Sequence, residues 1–231
     1  MSTDPLGRPV VAAFDFDGTL TRGGSVLPFL AFARGRLRVG REVVRHLPAL
    51  VRAGLVGGTA ADEVKEALFG RLLAGMTVAD AQRLGEEFAA RHLGRHLRRD
   101  ARARLEWHRK QGHIVVIVSA SPDCYVKPAA ALLGADAALA TRLAVGGDLL
   151  TGRYEGRNCR GAEKYARLTA WLFTEGIGAA HPEIWAYGNS RGDLRLLDAA
   201  DHGVDAGRLG RAGRLRRYPS LRAVAGTQGP A

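Results

Sequence analysis

The feature that most constrains this chain lies near its start, where Pro9-Val-Val-Ala-Ala-Phe14 runs directly into Asp15-Phe-Asp17-Gly-Thr19. A short apolar run bounded by turn residues reads as a strand buried on both faces. Such strands belong to parallel sheets covered by helices. Open α/β sheets bind ligands in the crevice outside the carboxyl ends of their strands. Two carboxylates, two residues apart where strand meets loop, would both point into that crevice.

The rest of the chain agrees with such a sheet. A second run, His113-Ile-Val-Val-Ile-Val-Ser119, follows a helical stretch around residues 98–111 and the breaker Gly112. A third, Glu183-Ile-Trp-Ala-Tyr187, leads into Gly188-Asn-Ser-Arg-Gly-Asp193 and then a helical 194–200. Gly203-Val-Asp205 fits an edge strand, and Gly146-Gly147 between 138–145 and 149–154 suggests a hairpin. Strands alternating with helices predict an α/β fold: a Rossmann-like parallel sheet with helices on both faces. Residues 23–95 read differently, as an inserted helical cap with helix starts at Thr59 and Thr77. Residues 9–22 and 96–207 then form a discontinuous core, and 208–231 a basic tail expected to be poorly ordered.

Composition narrows the function classes. The 231 residues are 46% hydrophobic and 25% charged, which excludes disordered and fibrous classes. Every apolar run falls short of the roughly 20 residues that span a bilayer. Cys124 and Cys159 lack metal-ligand spacing and read as free thiols of a reducing compartment. Met1-Ser-Thr-Asp-Pro5 has neither a basic leader nor an apolar core, so a cytoplasmic protein is expected. The formal charge of +11 is concentrated at Arg34, Arg36, Arg38, Arg41, Arg45 and Arg52, and in six arginines after Asp205. That balance favours anionic partners, although solvated helix faces account for it equally well. The basic stretches lack interleaved aromatics, so no specific nucleic-acid partner is expected. Val26-Leu-Pro-Phe-Leu-Ala-Phe-Ala33 beside arginines would suit peripheral contact with an anionic membrane and a lipid phosphate, or else a cap helix packing on the core.

Four short segments carry candidate chemistry in order: Asp15-x-Asp17, Ser119 in Val118-Ser-Ala-Ser121, Lys164 in Gly161-Ala-Glu-Lys164, and Gly188-Asn189-Ser-Arg-Gly-Asp193. Singly each is weak: Ser119 reads as a strand-end cap, Lys164 as a solvated helix lysine replaceable by Arg160, and Asp193 as an N-cap. His108, His113 and His181 have no ligand spacing. Together, from about residue 9 to 205, the segments resemble the haloacid dehalogenase-like superfamily, in its phosphoserine-phosphatase-like branch (subfamily IB) with a helical cap.

That resemblance implies a phosphatase for small-molecule or lipid phosphate monoesters, with Asp15 as nucleophile and Asp17 as general acid–base. It implies Mg2+ held by Asp15, Asp17 through its backbone carbonyl, and Asn189 or Asp193. Ser119, Ala120, Lys164 and the backbone of Gly18 and Thr19 would bind the phosphoryl group. Transfer of that group to an acceptor other than water is the alternative within the same chemistry. A basic anion-binding protein with a decayed site is the non-enzyme alternative. Two departures matter. The fourth segment has Asn189 where the family has aspartate, and Arg22-Gly-Gly-Ser25 replaces the glutamate that grips phosphoserine's amino group, which argues against phosphoserine as substrate.

Overall fold

The computed structural model of the chain describes residues 3–4, 6–49, 59–207 and 218–226. Its centre is a five-stranded parallel sheet of order β3-β2-β1-β6-β7. The strands are β1 (Val10–Phe14), β2 (Ile114–Pro122), β3 (Ala137–Thr141), β6 (Glu183–Gly188) and β7 (His202–Asp205). β1 is the middle strand: Phe14 is registered with Ile117 of β2 on one side and Tyr187 of β6 on the other. All five of its residues are buried.

The period-two pleat divides β1 between two cores. Val10, Ala12 and Phe14 join the packing of α5 (Arg99–Lys110) and α6 (Asp123–Leu133), through Leu105, Tyr125 and Val126. Val11 and Ala13 join that of α7 (Ala162–Thr174) and α8 (Leu194–Ala199), through Leu168, Leu172 and Leu196. A strand that must face hydrocarbon on both sides cannot alternate apolar with polar residues, which is why the run is unbroken.

Between β1 and β2 the chain forms α1 (Val26–Arg34), α2 (Arg36–Arg45), α3 (Thr59–Leu72) and α4 (Val78–His96). Thr77 caps α4 by accepting the Asp80 N–H at 3.0 Å. α1 buries Phe29 and Leu30 against the core, so the apolar face of the 26–33 segment is turned inward and Leu27, at 46% exposure, is its main outward apolar side chain. The segment thus turns an apolar face toward the buried core. Among the described residues no helix is long and apolar enough to cross a membrane.

Two expectations are corrected. The stretch 138–145 is not one arm of a hairpin: its first part, β3, pairs parallel with β2, and only β4 (Leu143–Gly146) pairs with β5 (Leu149–Tyr154). The division follows from Thr141, whose buried hydroxyl donates to Ala120 O at 2.8 Å and anchors the end of β3 beside β2. In the arginine-rich C-terminal stretch, residues 218–226 are docked. Asp205 N–H donates to Pro219 O at 2.9 Å, and α9 (Leu221–Gly226) buries Leu221. Residues 208–217 and 227–231 lie outside the described residues, as does Arg52 of the first arginine cluster.

Candidate active site

Asp15 sits one residue past β1, and its N–H donates to Tyr187 O at 2.9 Å, so the sheet ladder itself fixes the carboxylate at the strand end. Its Oδ1 accepts from Lys164 Nζ at 2.5 Å and its Oδ2 from Thr19 Oγ1 at 2.9 Å. Gly18 makes the second contact possible: at φ +83° it curls the loop back in a conformation that costs other residues about 1–2 kcal/mol. Burial pushes the Asp15 carboxyl up to about 7, the charge of Asp193 adds to that, and Lys164 pulls it back.

Asp17 has one engaged oxygen and one bare one. Its Oδ2 accepts from Ser121 Oγ at 2.5 Å, while Oδ1 is buried without a partner among the described residues. Burial raises its carboxyl, and hydrogen bonds from Ser121 and Ser25 work against the rise. An unpartnered buried oxygen costs free energy unless a ligand group or proton fills the place.

Lys164, in the first turn of α7, is 2% exposed and donates to Asp15 Oδ1 and, at 2.6 Å, to Asp193 Oδ1. Burial alone would lower its ammonium; the two carboxylates outweigh burial and hold it above its ordinary range. Asp193 is itself held by Ser190 N at 2.9 Å, Ser190 Oγ at 2.7 Å and Asn189 N at 3.1 Å, all on Oδ2. Burial works to raise the Asp193 carboxyl, and Lys164 and these donors overcome it. Asp193 therefore orients Lys164 and the turn after β6, with both oxygens occupied by protein donors. Arg160 pairs with Asp62 of α3 at 3.3 Å.

Ser119 is 1% exposed, and its Oγ accepts the Ser121 N–H at 3.1 Å, leaving the hydroxyl proton to donate. The Ala120 carbonyl accepts from Thr141 and from Lys65 of α3. Asn189 lies against the Asp15–Thr19 loop: a Cβ on Gly18 would stand 1.8 Å from its Nδ2. Asp15, the Asp17 backbone carbonyl and the Asn189 amide oxygen would offer a set of oxygens with a single negative charge, that of Asp15. Among the described residues no group of three or more His, Cys, Asp or Glu is placed to hold a metal alone. Magnesium suits such a set, since it binds through one or two carboxylates and completes its shell with water and substrate oxygens. The residues fit the ion, with Asn189 supplying an uncharged oxygen.

Both cysteines are free, with thiols pushed up by burial to about 12 for Cys124 and about 11 for Cys159, which disfavours the thiolate a nucleophile needs. His108 and His113 share a structural network with Tyr187 under the sheet; His181 is exposed. Sequence reasoning passed over Ser121 and Lys65. Ser121 had a signal, because Ser119 and Ser121 sit two apart at a strand end and could share a face. Lys65 had none, being one basic residue on a polar helix.

Residues 12–198 match the haloacid dehalogenase-like hydrolases, and the chain belongs to that family. It is 38% identical over 201 residues to protein CicA of Caulobacter vibrioides, covering 86% of this chain and 87% of that one. It is 30% identical to a probable phosphatase of Mycobacterium tuberculosis, covering 87% of this chain and 69% of the relative. Among solved structures, a phosphoserine phosphatase with an analogue of its phospho-aspartyl intermediate superposes with a TM-score of 0.63 at 20% identity, covering 95% and 99% of the two chains. The chain therefore shares the fold of that phosphoserine phosphatase.

Proposed function

We propose that this protein is a magnesium-dependent phosphatase that hydrolyses small phosphate monoesters, other than phosphoserine, through an aspartyl phosphate on Asp15. The observation that carries the reading is the arrangement of Lys164 between Asp15 and Asp193, opposite an Asp17 carboxyl with one unpartnered oxygen. The mycobacterial relative's name supports phosphatase chemistry.

In this reading an Asp15 carboxylate oxygen bonds to phosphorus while the phosphorus–oxygen ester bond breaks. The departing oxygen takes its proton from Asp17, whose raised carboxyl favours holding one. Water then attacks the phosphorus of the aspartyl phosphate, gives its proton to Asp17, and inorganic phosphate leaves with Asp15 restored. Lys164 and the Ser119 hydroxyl stabilise charge on the phosphoryl oxygens as it spreads in the transition state. Asp15, the Asp17 carbonyl and Asn189 would hold magnesium, whose charge compensates the approach of a carboxylate to a phosphate dianion. The helices of residues 23–95 act as a cap over the core of 9–22 and 96–207, limiting water and selecting the leaving group.

The test is phosphate release from a panel of phosphorylated metabolites, with and without magnesium, for the wild type and Asp15→Asn. Activity requiring both metal and Asp15 is expected. Phosphate release by pure Asp15→Asn would refute the covalent mechanism.

A further inference from the structure

A row of buried hydroxyls ends on Asp17. Its Oδ2 accepts from Ser121 Oγ at 2.5 Å; Ser121 Oγ lies 3.3 Å from Ser25 Oγ, and Ser25 Oγ lies 2.9 Å from Tyr125 Oη. Ser25 and Tyr125 are fully buried, and Ser121 is 1% exposed. The three come from different parts of the fold: Ser121 from the end of β2, Tyr125 from the first turn of α6, and Ser25 from the residue before α1. The Tyr125 ring packs against Phe29 of α1 and Phe88 of α4, at centroid distances of 4.7 and 5.1 Å.

Counting protons fixes the direction of the row. Each hydroxyl brings one proton, so three protons serve three bonds. With Ser121 donating to Asp17, Ser25 donates to Ser121 and Tyr125 to Ser25, and no proton is left over. A proton on Asp17 Oδ2 would add a fourth to the same three bonds and leave one buried hydroxyl without an acceptor, which costs free energy. A proton on Oδ1 disturbs none of them, because that oxygen has no partner among the described residues. The two oxygens of Asp17 are therefore not equivalent: Oδ2 stays an acceptor, and Oδ1 is the one open to exchange.

We propose that Ser121, backed by Ser25 and Tyr125, is a positioning residue: it holds Asp17 Oδ2 so that Oδ1 is the oxygen whose proton passes to the departing ester oxygen. The proposal rests on the acid–base role of Asp17 in the reading above. The proton leaves Oδ1 as the phosphorus–oxygen ester bond breaks and the electron pair of that bond passes to the departing oxygen; Oδ1 takes a proton back from the attacking water. Without Ser121 the carboxyl loses the bond that distinguishes its oxygens, and the acid proton is free to occupy the wrong one. Leaving groups that need a proton then suffer more than those that depart as stable anions.

The test compares kcat/KM for phenyl phosphate and p-nitrophenyl phosphate in saturating magnesium, because the two esters share a frame and p-nitrophenolate departs readily without a proton. The readout is the ratio of p-nitrophenyl to phenyl phosphate. Relative to the wild type it should rise about tenfold in Ser121→Ala, the scale of one hydrogen bond to a charged group. It should rise about threefold in Tyr125→Phe, which keeps the ring and removes only the neutral donor at the far end of the row. Asp17→Asn should raise it on the order of a hundredfold, and adding Ser121→Ala to Asp17→Asn should raise it no further. A serine with only a structural role would slow both esters alike, so an unchanged ratio in Ser121→Ala overturns the proposal. Should Ser121→Ala not fold, an unchanged ratio in Tyr125→Phe overturns it instead. A further rise in the double variant also overturns it, by placing the effect of Ser121 outside Asp17. The phosphatase reading fails differently: a wild type that cleaves neither ester overturns that reading and this proposal together, whereas an unchanged ratio in an active wild type background overturns this proposal alone.

Discussion

Replacing Lys164 by Met isolates the electrostatics of the site, because the lysine is 2% exposed and both of its partners are buried carboxylates. The substitution keeps most of the side-chain volume and removes the charge, so Asp15 loses its donor at 2.5 Å and Asp193 its donor at 2.6 Å. Breaking a buried pair by removing one partner costs about 3–5 kcal/mol. Asp193 retains its three donors from Asn189 and Ser190, so the larger effect falls on Asp15. The cost depends on pH with a definite sign. Asp15 takes its proton at about 7 when folded, against an ordinary value of 3.8. Folding therefore binds a proton between those values, and stability through this group declines by about 1.4 kcal/mol per pH unit before levelling off above 7. Without Lys164 the folded carboxyl rises further and the decline continues. In metal-free buffer the gap between Lys164→Met and wild type should be about 3 kcal/mol at pH 7. Above that it should grow at up to about 1.4 kcal/mol per pH unit, giving a fall in Tm on the order of 6–20 °C. The double variant Lys164→Met with Asp15→Asn removes the stranded charge and should recover about 2 kcal/mol or more at pH 8.5. Urea titrations at pH 6, 7 and 8.5 measure all three proteins. A Lys164→Met variant within about 1 kcal/mol of wild type at pH 8.5, or a gap that ignores pH, would refute the reasoning.

Two further outcomes follow from neighbouring parts of the structure. His108 is fully buried, bonded to Tyr187 and His113, and burial with the Arg104 and His113 charges holds it down to about 2, against an ordinary value of 6.5. Its contribution to stability is thus complete above pH 6.5 and lost as pH falls below it. Urea titrations between pH 6.5 and 4.5 should show His108→Gln losing about 2 kcal/mol less than wild type over that interval. Gly18→Ala would place a Cβ 1.8 Å from Asn189 Nδ2 at φ +83°, displacing the amide and straining the loop. It should cost about 1–2 kcal/mol in stability by the same titrations and weaken magnesium binding by about tenfold in calorimetry, and unaltered metal affinity would remove Asn189 from the donor set.

The sequence alone carried the sheet and its catalytic edge. β1 and β2 are written in unbroken apolar runs, because a strand covered on both faces has no polar side to show. The strand ends are marked by Asp15, Asp17 and Gly18, and by Ser119, since turn chemistry is local and side chains there have few other structural reasons to be polar. Asp15 and Lys164, 149 residues apart, were placed in one site only through the order of four segments; their contact at 2.5 Å is a tertiary fact.

What only the tertiary structure decided depends on which loops and layers close over one another. Thr141 breaks the apparent 138–145 arm because its hydroxyl finds Ala120, a partner 21 residues away that no local period encodes. The arginine-rich end docks residues 218–226 because β7, an edge strand, leaves Asp205 N–H open to Pro219 O. Ser121 is a ligand of Asp17 across 104 residues, and Lys65 reaches Ala120 across 55. A basic residue on a polar helix face looks the same in sequence whether it ends in water or in a crevice. Only the packing of α3 against the core distinguishes the two, because it brings Lys65 within hydrogen-bond reach of Ala120 O and Asn158 Oδ1.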